Sequence, residues 1–390
     1  MKRVGIICEF NPFHNGHRYL LESVRAAGAE EIVCVMSESF VQRCEPCLLP
    51  SRERAEAAVL CGADAVFSLP FPWSCASAEY FAGTGMYLLQ LLGCDAVAFG
   101  SESGDLTFLQ AESAKIAGIP QKEEGTASVY GRLPANDILG TAYLRACKRL
   151  SWEPEVLPVK RQGLWHREKL TPGNLYRTTE NGTAPRVGIT STGARKEIRG
   201  GNIPRDLPSA SCDILERSLE AGLCPSDLAR FDDILFSFWR VAEPETQSQY
   251  AECGSGVAER LCGAARRAAK AAEMFPLAAT KKYTDARLRR AALFGYLRIT
   301  EEMLHETPAY TRLLGCNARG RALCGTLPVH PDFAMIANVR NLPRTPAAQA
   351  QKSAELRAEA LLTMLYPSGN PAGFLFRRPP VIVEGPQNSD

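Results

Sequence analysis

The N-terminal segment VGIICEFNPFHNGHRYL, residues 4–20, joins a short apolar run to a helix-like segment through a polar loop with one glycine. The run VGIICEF is rich in β-branched residues, which predicts a buried strand. HRYLLESVRAAG has helical spacing and ends at Gly28. A helix that starts directly after such a loop presents unpaired N–H groups at its first turn, and these bind phosphate. The segment therefore predicts an α/β fold with an anion site at the end of its first strand.

The residues up to about 160 repeat this alternation of strand and helix. Further strands are predicted at EEIVCVMS, DAVFSLPF, CDAVAFGSE and EPEVLPVKR, and helices at SRERAEAAVLCG, AEYFAGTGMYLLQLLG, DLTFLQAESAKIAG and NDILGTAYLRACKRL. This alternation is typical of βαβ units in a Rossmann-like parallel sheet. Such sheets bind ligands beyond the carboxyl ends of their strands. We therefore expect the polar clusters at 11–17, 37–43, 100–102 and 160–161 on one rim.

Beyond about residue 205 the strand signals fade and helical periodicity dominates. STGARKEIRGG (191–201) predicts a short helix before this change. AYTRLLGCNARGRALCG and AAQAQKSAELRAEALLTMLY are expected to continue the helical part. We predict a catalytic domain over 1–204, a mostly α-helical domain over 205–375, and a tail over 376–390.

The composition is that of an ordinary globular protein, and its overall charge does not indicate a binding partner. The 390 residues carry a formal net charge of +2, so any nucleic-acid surface must be local. No apolar run approaches the roughly 20 residues that span a bilayer, and the N-terminal run does not resemble a secretory signal; the expected location is the cytoplasm. The 14 cysteines are scattered, and only Cys44 and Cys47 have the spacing of a metal or redox pair. A structural zinc site usually needs a second pair.

The HNGH string places His14 and His17 three residues apart at the predicted helix start. Both imidazoles can face one anion from the first turn, and Gly16 lets the backbone approach it closely. Charged or hydrogen-bonding imidazoles there would stabilise the negative charge that develops on an α-phosphate during attack. The alternatives are a zinc-binding pair or a histidine that caps the helix.

A second anion site is predicted at ITSTGARK, residues 189–196. Hydroxyl groups at a helix start, followed by Arg195 and Lys196, suit β- and γ-phosphates or a departing pyrophosphate. Ser191 and Arg195 are therefore candidate catalytic residues together with His14 and His17. The alternative is an ordinary N-cap with a solvated basic face.

These two motifs together resemble the HxGH nucleotidyltransferase superfamily, whose members pair an HxGH turn with a later hydroxyl-rich turn. Longer strings resemble the tRNA(Met) cytidine acetate ligase family: GIICEFNPFHNGHRYLL, VMSESFVQRCEP, AFGSESGD, ANDILGTAYLRA and TKKYTDARLRRAALFGYL. The similarity covers most of residues 1–330. It departs from the family at Cys44, where a Gly is expected before Glu-Pro, and at Phe10, where a Tyr is expected.

The resemblance implies a ligase that activates acetate with ATP. Acetyl-adenylate and pyrophosphate would form first, and the acetyl group would then pass to N4 of the wobble cytidine of elongator tRNA(Met), releasing AMP. ATP would be a substrate, with magnesium as a possible companion. One alternative is a nucleotidyltransferase that adenylylates a small phosphate-containing substrate, but the long helical part argues against it. Another is a non-catalytic RNA-binding protein, but the intact HNGH loop argues against that.

The resemblance also implies which residues bind ATP. Gly100 ends a predicted strand, where a side chain would block a flat adenine or ribose, and Asn136 would contact the nucleotide unless it caps its own helix. Arg161 and Gln162 would close the site from the fifth strand. The remaining members form the first loop and helix: Ile7, Cys8, Glu9, Phe10, Asn11, Pro12, Phe13, His14, Asn15, Gly16, His17, Arg18, Tyr19 and Leu20.

The substrate side is less defined by sequence. Arg43 follows the second strand and could pair with acetate or a phosphate, or it could be a surface arginine. Residues 256–300 contain ten Lys or Arg and three Asp or Glu. Such a stretch, interleaved with Tyr283, Phe294 and Tyr296, is typical of RNA binding but also of a solvated helix face with core aromatics. The candidate tRNA contacts are Lys281, Lys282, Arg287, Arg289 and Arg290.

Overall fold

The computed structural model describes residues 1–116, 133–161 and 189–384. Its first part alternates strands and helices as the apolar periodicity predicts. The elements are β1 (Arg3–Cys8), α1 (Asn15–Ala26), β2 (Glu31–Ser37), α2 (Ser51–Leu60), β3 (Ala65–Leu69), α3 (Ala78–Leu91), β4 (Ala96–Ser101), α4 (Leu106–Ile116), α5 (Ala135–Arg149), β5 (Glu155–Lys160) and α6 (Ser191–Arg199). The predicted strands and helices of this part are confirmed.

The five N-terminal strands form a parallel sheet in the order β5-β4-β1-β2-β3. Alternate side chains of β2 enter different apolar clusters: Val33 and Val35 pack on one face, Ile32 and Cys34 on the other. Both faces are therefore covered, which explains why the strands read as continuous apolar runs. The carboxyl ends of all five strands meet at one edge of the sheet.

The second part is mostly helical but also contributes strands. The elements are α7 (Ser209–Glu220), α8 (Leu228–Val241), α9 (Pro244–Gln247), α10 (Val257–Arg267), α11 (Ala271–Ala278), α12 (Asp285–Leu297), α13 (Glu301–His305), β6 (Tyr310–Asn317), α14 (Ala318–Cys324), β7 (Ala334–Ile336), α15 (Pro346–Met364), α16 (Phe374–Arg377) and β8 (Val381–Val383). The mixed fold, a mostly parallel sheet followed by a largely helical part, agrees with the predicted class.

Two local predictions were wrong. AYTRLLGCNARGRALCG was expected to be helical, but its first half is β6, which pairs antiparallel with β3. Val381–Val383 lie in the expected tail, yet they form β8 and pair parallel with β6. A Cβ at Gly315 would lie 2.6 Å from Val381, so this close pairing depends on glycine. Long-range pairing, which local propensity does not encode, decided both segments.

A continuous core joins the helical part to the rim of the sheet. Phe40, which follows β2, lies 5.7 Å from Phe231 of α8, and Phe71, which follows β3, lies 6.2 Å from Phe294 of α12, measured between ring centroids. The Arg312 guanidinium on β6 pairs with the Glu38 carboxylate after β2. The helices thus pack directly against the loops that carry the predicted site.

Candidate active site

A cavity of about 930 Å³ lies at the carboxyl ends of β1, β4 and β5. It brings together residues that are far apart in the sequence, as the rim prediction requires. Sixteen of the predicted residues line it: Ile7, Cys8, Glu9, Phe10, Asn11, His14, Gly16, His17, Tyr19, Leu20, Arg43, Gly100, Asn136, Arg161, Ser191 and Arg195. Pro12, Phe13, Asn15 and Arg18 do not line it, and Gln162 lies outside the described residues.

The loop after β1 is shaped by an unusual backbone angle. Phe10 has φ 45°, a left-handed conformation that is strained for a bulky residue. Its buried ring meets the rings of Phe13 and His17 edge-on, with 4.9 Å between centroids in each case. The rings of Phe10 and Phe13 therefore both pack against the His17 imidazole.

His14 and His17 form a reciprocal cap at the start of α1. The Gly16 N–H donates to Nδ1 of His14 at 3.0 Å, and the His14 N–H donates to Nδ1 of His17 at 3.2 Å. The rings stack with centroids 3.7 Å apart. A ring nitrogen that accepts a hydrogen bond carries no proton, so each neutral ring is protonated at Nε2. The capping alternative is thus realised without excluding a phosphate role, since an imidazole has two nitrogens.

The surroundings hold both imidazoles neutral at physiological pH. Burial, helped by the Arg161 and Arg195 guanidinium groups, lowers the pKa of His14 to about 3. Burial, then His14 and Arg161, lowers the pKa of His17 well below its ordinary value. Of the two predicted modes, hydrogen bonding therefore fits and positive charge on the imidazoles does not. The positive charge that acts on the imidazoles resides on Arg161 and Arg195.

Acid is expected to destabilise the protein through these imidazoles. In the unfolded chain each takes up a proton near pH 6.5, whereas folded His14 does so only near 3. Their contribution to stability is full above pH 6.5 and is lost as the pH falls towards the folded pKa, at up to about 1.4 kcal/mol per pH unit for each imidazole. Urea unfolding from about pH 7 to 4.5 should show a steeper loss for the wild type than for a His14→Gln/His17→Gln variant; equal slopes would contradict this.

The second predicted anion site lies directly against the first. Thr190 caps α6 by accepting a hydrogen bond from the Gly193 N–H at 3.1 Å. Arg195 extends from this helix, and its Nη1 donates to the carbonyl oxygen of Asn11 at 2.9 Å. The arginine side chain is 14% exposed and lies 3.5 Å from Glu45. It is therefore not part of a solvated basic face, and it joins the two halves of the site.

Hydrogen bonds between the end of β4 and the start of α5 hold another part of the cavity wall. The Asn136 amide donates to Oε1 of Glu102 at 2.6 Å, and Pro134 occupies the N-cap of α5, so Asn136 does not cap its own helix. Asp137, which the sequence reasoning missed, is buried and accepts hydrogen bonds from the Ser101 hydroxyl at 2.5 Å and the Glu102 N–H at 3.0 Å. Its signal was an acidic residue in the first turn of a predicted helix.

Arg54 is a second residue to which sequence reasoning gave no role. It is fully buried in α2. Its Nη1 donates to the Glu9 carbonyl at 2.6 Å, its Nε to the Leu49 carbonyl at 3.1 Å, and its Nη2 to the Glu38 carbonyl. One side chain thus ties together the ends of β1 and β2. An arginine within the alanine-rich string SRERAEAAVL was the available signal.

The part of the cavity wall that follows β1 and β2 contains Glu9, Gln42 and the exposed Arg43. Oε1 of Glu9 accepts the Gln42 N–H at 2.8 Å, and burial raises the Glu9 pKa against the effect of nearby arginines. Cys44 has φ 60°, a conformation that favours glycine, which accounts physically for the glycine expected there.

The Cys44–Cys47 pair does not have the surroundings of a reactive or metal-binding pair. Both thiols are buried, and burial raises the pKa of Cys47 to about 11. Reactive thiols are instead accessible and have a lowered pKa. Among the described residues, no group of three His, Cys, Asp or Glu side chains could hold a metal ion.

The structure divides the five candidate tRNA contacts of the helical part. Lys281 and Lys282 are exposed. Arg290 is buried and bonds Glu252 at 3.0 Å, so it offers no surface to RNA. Arg287 lies 3.3 Å from the same Glu252, and Arg289 bonds Asp285 and Asp232. Glu252 and Asp232 lie outside residues 256–300. Counting the charges within that stretch therefore overestimated the number of basic side chains that are free to bind RNA.

The interleaved aromatics belong to the core rather than to an RNA surface. Phe294 is fully buried and Tyr283 nearly so, while Tyr296 packs edge-on against Phe238 with 5.2 Å between centroids. The expected base stacking on Tyr283 and Phe294 is therefore ruled out by their burial. Separately, none of the described helices is both long and apolar enough to cross a membrane.

Comparison with known proteins agrees with this geometry. The family model described as HIGH Nucleotidyl Transferase matches residues 1–128 and 121–373. The tRNA(Met) cytidine acetate ligases of Syntrophotalea carbinolica and Acetivibrio thermocellus are 32% and 30% identical, over 94% and 95% of this chain and 95% and 96% of theirs. The crystal structure of Thermotoga maritima TmcAL bound with alpha-thio ATP has a TM-score of 0.83 at 25% identity, covering 99% of this chain and 100% of that one.

Proposed function

The chain belongs to the HIGH nucleotidyl transferase family and, within it, to the tRNA(Met) cytidine acetate ligases, and from this premise we propose that it activates acetate with ATP and acetylates N4 of the wobble cytidine of elongator tRNA(Met) in the cytoplasm. The observation that carries the proposal is the bond from Arg195 to the Asn11 carbonyl. Through it, two anion sites separated by most of the first domain face one cavity. An enzyme that transfers an adenylyl group needs both, one for the α-phosphate and one for departing pyrophosphate.

The first step needs alignment and charge stabilisation rather than a base. Acetate is already ionised, so its oxygen attacks the α-phosphorus directly while the bond to the β-phosphate oxygen breaks. Neutral His14 and His17 would donate from Nε2 to the α-phosphate oxygens, and Arg195 with the Ser191 hydroxyl would hold the pyrophosphate. Preorganised donors of this kind supply much of the rate enhancement in such transfers.

The acetate and the nucleotide would occupy opposite ends of the cavity. We assign the carboxylate to the end near Arg43 and the nucleotide to the end near Gly100, Asn136 and Arg161. In the second step the N4 amine attacks the acetyl carbon, the bond to AMP breaks, and the amine loses a proton. Residues 1–204 would perform both steps, while residues 205–375 would hold the tRNA.

Pyrophosphate exchange tests the proposal directly. Purified protein should incorporate labelled pyrophosphate into ATP only when acetate is present, without tRNA. Exchange that ignores acetate but responds to a small phosphate compound would favour the adenylylation of that compound instead. Nucleoside analysis of tRNA(Met) after incubation with protein, ATP and acetate should show N4-acetylcytidine, and unchanged cytidine would count against the second step.

Gly100 offers a test of nucleotide binding that should leave the fold intact. A Cβ there would meet nothing closer than Arg161 Cγ at 3.7 Å, an ordinary contact. Gly100→Ala should therefore raise the KM for ATP slightly. Gly100→Val places two more methyl groups in the cavity and should raise it by about tenfold or more, since overpacking costs roughly 1–3 kcal/mol. Unchanged KM in both variants, at wild-type Tm, would remove the nucleotide from this end.

Lys281 and Lys282 test the division between the two parts. A Lys281→Gln/Lys282→Gln variant should bind tRNA about tenfold more weakly, because each lysine that contacts a phosphate releases a counterion on binding. Its acetate-dependent exchange should be unchanged. Arg319→Gln is a matched control, since Arg319 is exposed beside Asp64 at the opposite edge of the sheet. Equal tRNA affinity in the variant and the control would contradict the assignment.

A further inference from the structure

The outer face of α10 carries an arginine pair separated by a glycine. Val257, Ala258, Leu261, Cys262, Ala264 and Ala265 are the buried residues of this helix. Glu259, Arg260, Gly263, Arg266 and Arg267 remain on its outer face. Arg260 precedes Gly263 by three residues and Arg267 follows it by four, so all three lie on one stripe. We call Arg260, Gly263 and Arg267 the α10 saddle.

Gly263 is not required by packing. A Cβ built on it would meet only Nη1 of Arg267, at 3.6 Å, and its φ is not positive. Gly295 on α12 is a contrast, since its Cβ would lie 2.7 Å from Trp239. Glycine in the interior of a helix is destabilising relative to alanine. No packing contact in the core compensates for the helix stability that glycine costs at position 263. The reason for this glycine therefore lies at the protein surface.

The two arginines of the saddle differ in exposure: Arg267 is exposed, whereas Arg260 is half-buried with its Nε enclosed. Arg260 donates one weak bond to the Ala278 carbonyl at 3.4 Å. Neither Arg260 nor Arg267 forms an ion pair within the part of the chain that the structure describes, in contrast to Arg289 and Arg290. Arg266 differs again, since it donates to the Ala242 carbonyl at 2.9 Å. Glu259 is the acid on this face.

Further cations gather beside the saddle. The guanidinium of Arg260, the ammonium of Lys282 and the guanidinium of Arg287 lie 5.6, 5.2 and 5.1 Å from the centre of the Tyr283 ring. The ring is nearly buried, and its hydroxyl donates to the Ser255 carbonyl at 2.8 Å. Tyr283 therefore does not stack on a base. It holds together three cations, from α10, from α12 and from the loop before α12, and of these Arg287 is also paired with Glu252.

We propose that the α10 saddle, with Lys282 beside it, is a binding site for an RNA backbone phosphate. Gly263 places no side chain between the two arginines, and Nη1 of Arg267 lies over it, so a phosphate can bind there and receive hydrogen bonds from both. The site recognises the sugar–phosphate backbone and not a base. This inference rests on the proposed function in one respect, namely that the RNA is the tRNA substrate.

The test separates stability from binding. Gly263→Ala should raise the Tm by about 1–2 °C, because alanine favours the helix, and yet bind tRNA(Met) severalfold more weakly. Gly263→Leu, also a good helix former, should keep the Tm and bind at least about tenfold more weakly, because the larger side chain fills the saddle. Filter binding and thermal unfolding on the same preparations give both values. Wild-type affinity in Gly263→Leu would overturn the proposal.

Variants that change the charge of this surface test the phosphate contact independently of the Gly263 variants. Arg267→Gln should weaken binding and lower the slope of log K against log salt by roughly 0.7–0.9, the value for one lost phosphate contact. Glu259→Gln should tighten binding, since it removes the acid from this face. Arg319→Gln should change neither. A salt slope in Arg267→Gln equal to that of Arg319→Gln would refute the contact.

Pyrophosphate exchange without tRNA distinguishes a failure of the saddle from a failure of the proposed function. All of these variants should retain acetate-dependent pyrophosphate exchange. If wild-type protein exchanges and binds tRNA while the saddle variants bind as tightly, the saddle is wrong and the proposed function stands. If the wild type shows neither acetate-dependent exchange nor tRNA binding, the proposed function is wrong. The saddle is then not a binding site for this tRNA either.

Discussion

Replacing His17 with alanine is expected to lower acetate-dependent pyrophosphate exchange by about 10²–10³-fold, the usual effect of removing one transition-state donor. The Nε2 proton of this ring is the one that we propose to donate to the α-phosphate, because Nδ1 accepts the His14 N–H. The same change also removes half of the cap on α1, and losing a cap costs roughly 1 kcal/mol. Alanine alone therefore cannot separate catalysis from folding.

His17→Gln is the matched variant that does so. Glutamine at the third helical position reaches back to the N-cap N–H in ordinary capping boxes, so it should keep the wild-type Tm while losing exchange to nearly the same extent as alanine. Binding of tRNA should be unchanged in both variants. If His17→Gln exchanges at the wild-type rate, His17 is a capping residue and the phosphate role is wrong.

Replacing Arg54 with methionine is expected to reduce the free energy of unfolding by about 3–5 kcal/mol. The substitution removes the donors to three carbonyl groups, and a buried acceptor left without a partner costs roughly 1–3 kcal/mol. Because two of these carbonyls follow β1 and β2, we also expect higher KM values for ATP and acetate in whatever protein remains folded. Urea denaturation measures the first effect, and exchange under stabilising conditions the second.

Two further variants serve as controls for the free energy of unfolding of Arg54→Met. Arg54→Lys keeps the charge but not the planar fork of donors, so it should recover only part of the stability. Arg217→Met removes an exposed arginine that bonds Glu56 on the same helix α2, and such surface pairs contribute roughly 0–1 kcal/mol. A loss in Arg54→Met no larger than that in Arg217→Met would show that the three bonds do not brace the site.

Local sequence patterns predicted the first part of the fold well, for a physical reason. β1 to β4 are buried on both faces, so each reads as a nearly unbroken apolar run, and each following helix begins at a recognisable start. β6 was missed because Arg312 interrupts its apolar pattern. That guanidinium is buried against Glu38 and Glu355, partners that lie far away in the sequence and cannot be seen from a local window.

The chemistry of the HNGH loop was determined by the sequence itself, since four adjacent residues after a strand and before a helix have few arrangements open to them. Only the tertiary structure decided how that chemistry is used. It assigned the proton of each imidazole to Nε2 through backbone bonds, and it kept both rings neutral by burying them beside Arg161 and Arg195. Likewise, the sequence shows a concentration of basic residues between residues 256 and 300. Some of the acids that pair with them, Glu252 and Asp232, lie outside this stretch. Charge and protonation depend on distance in space, which residue order does not record.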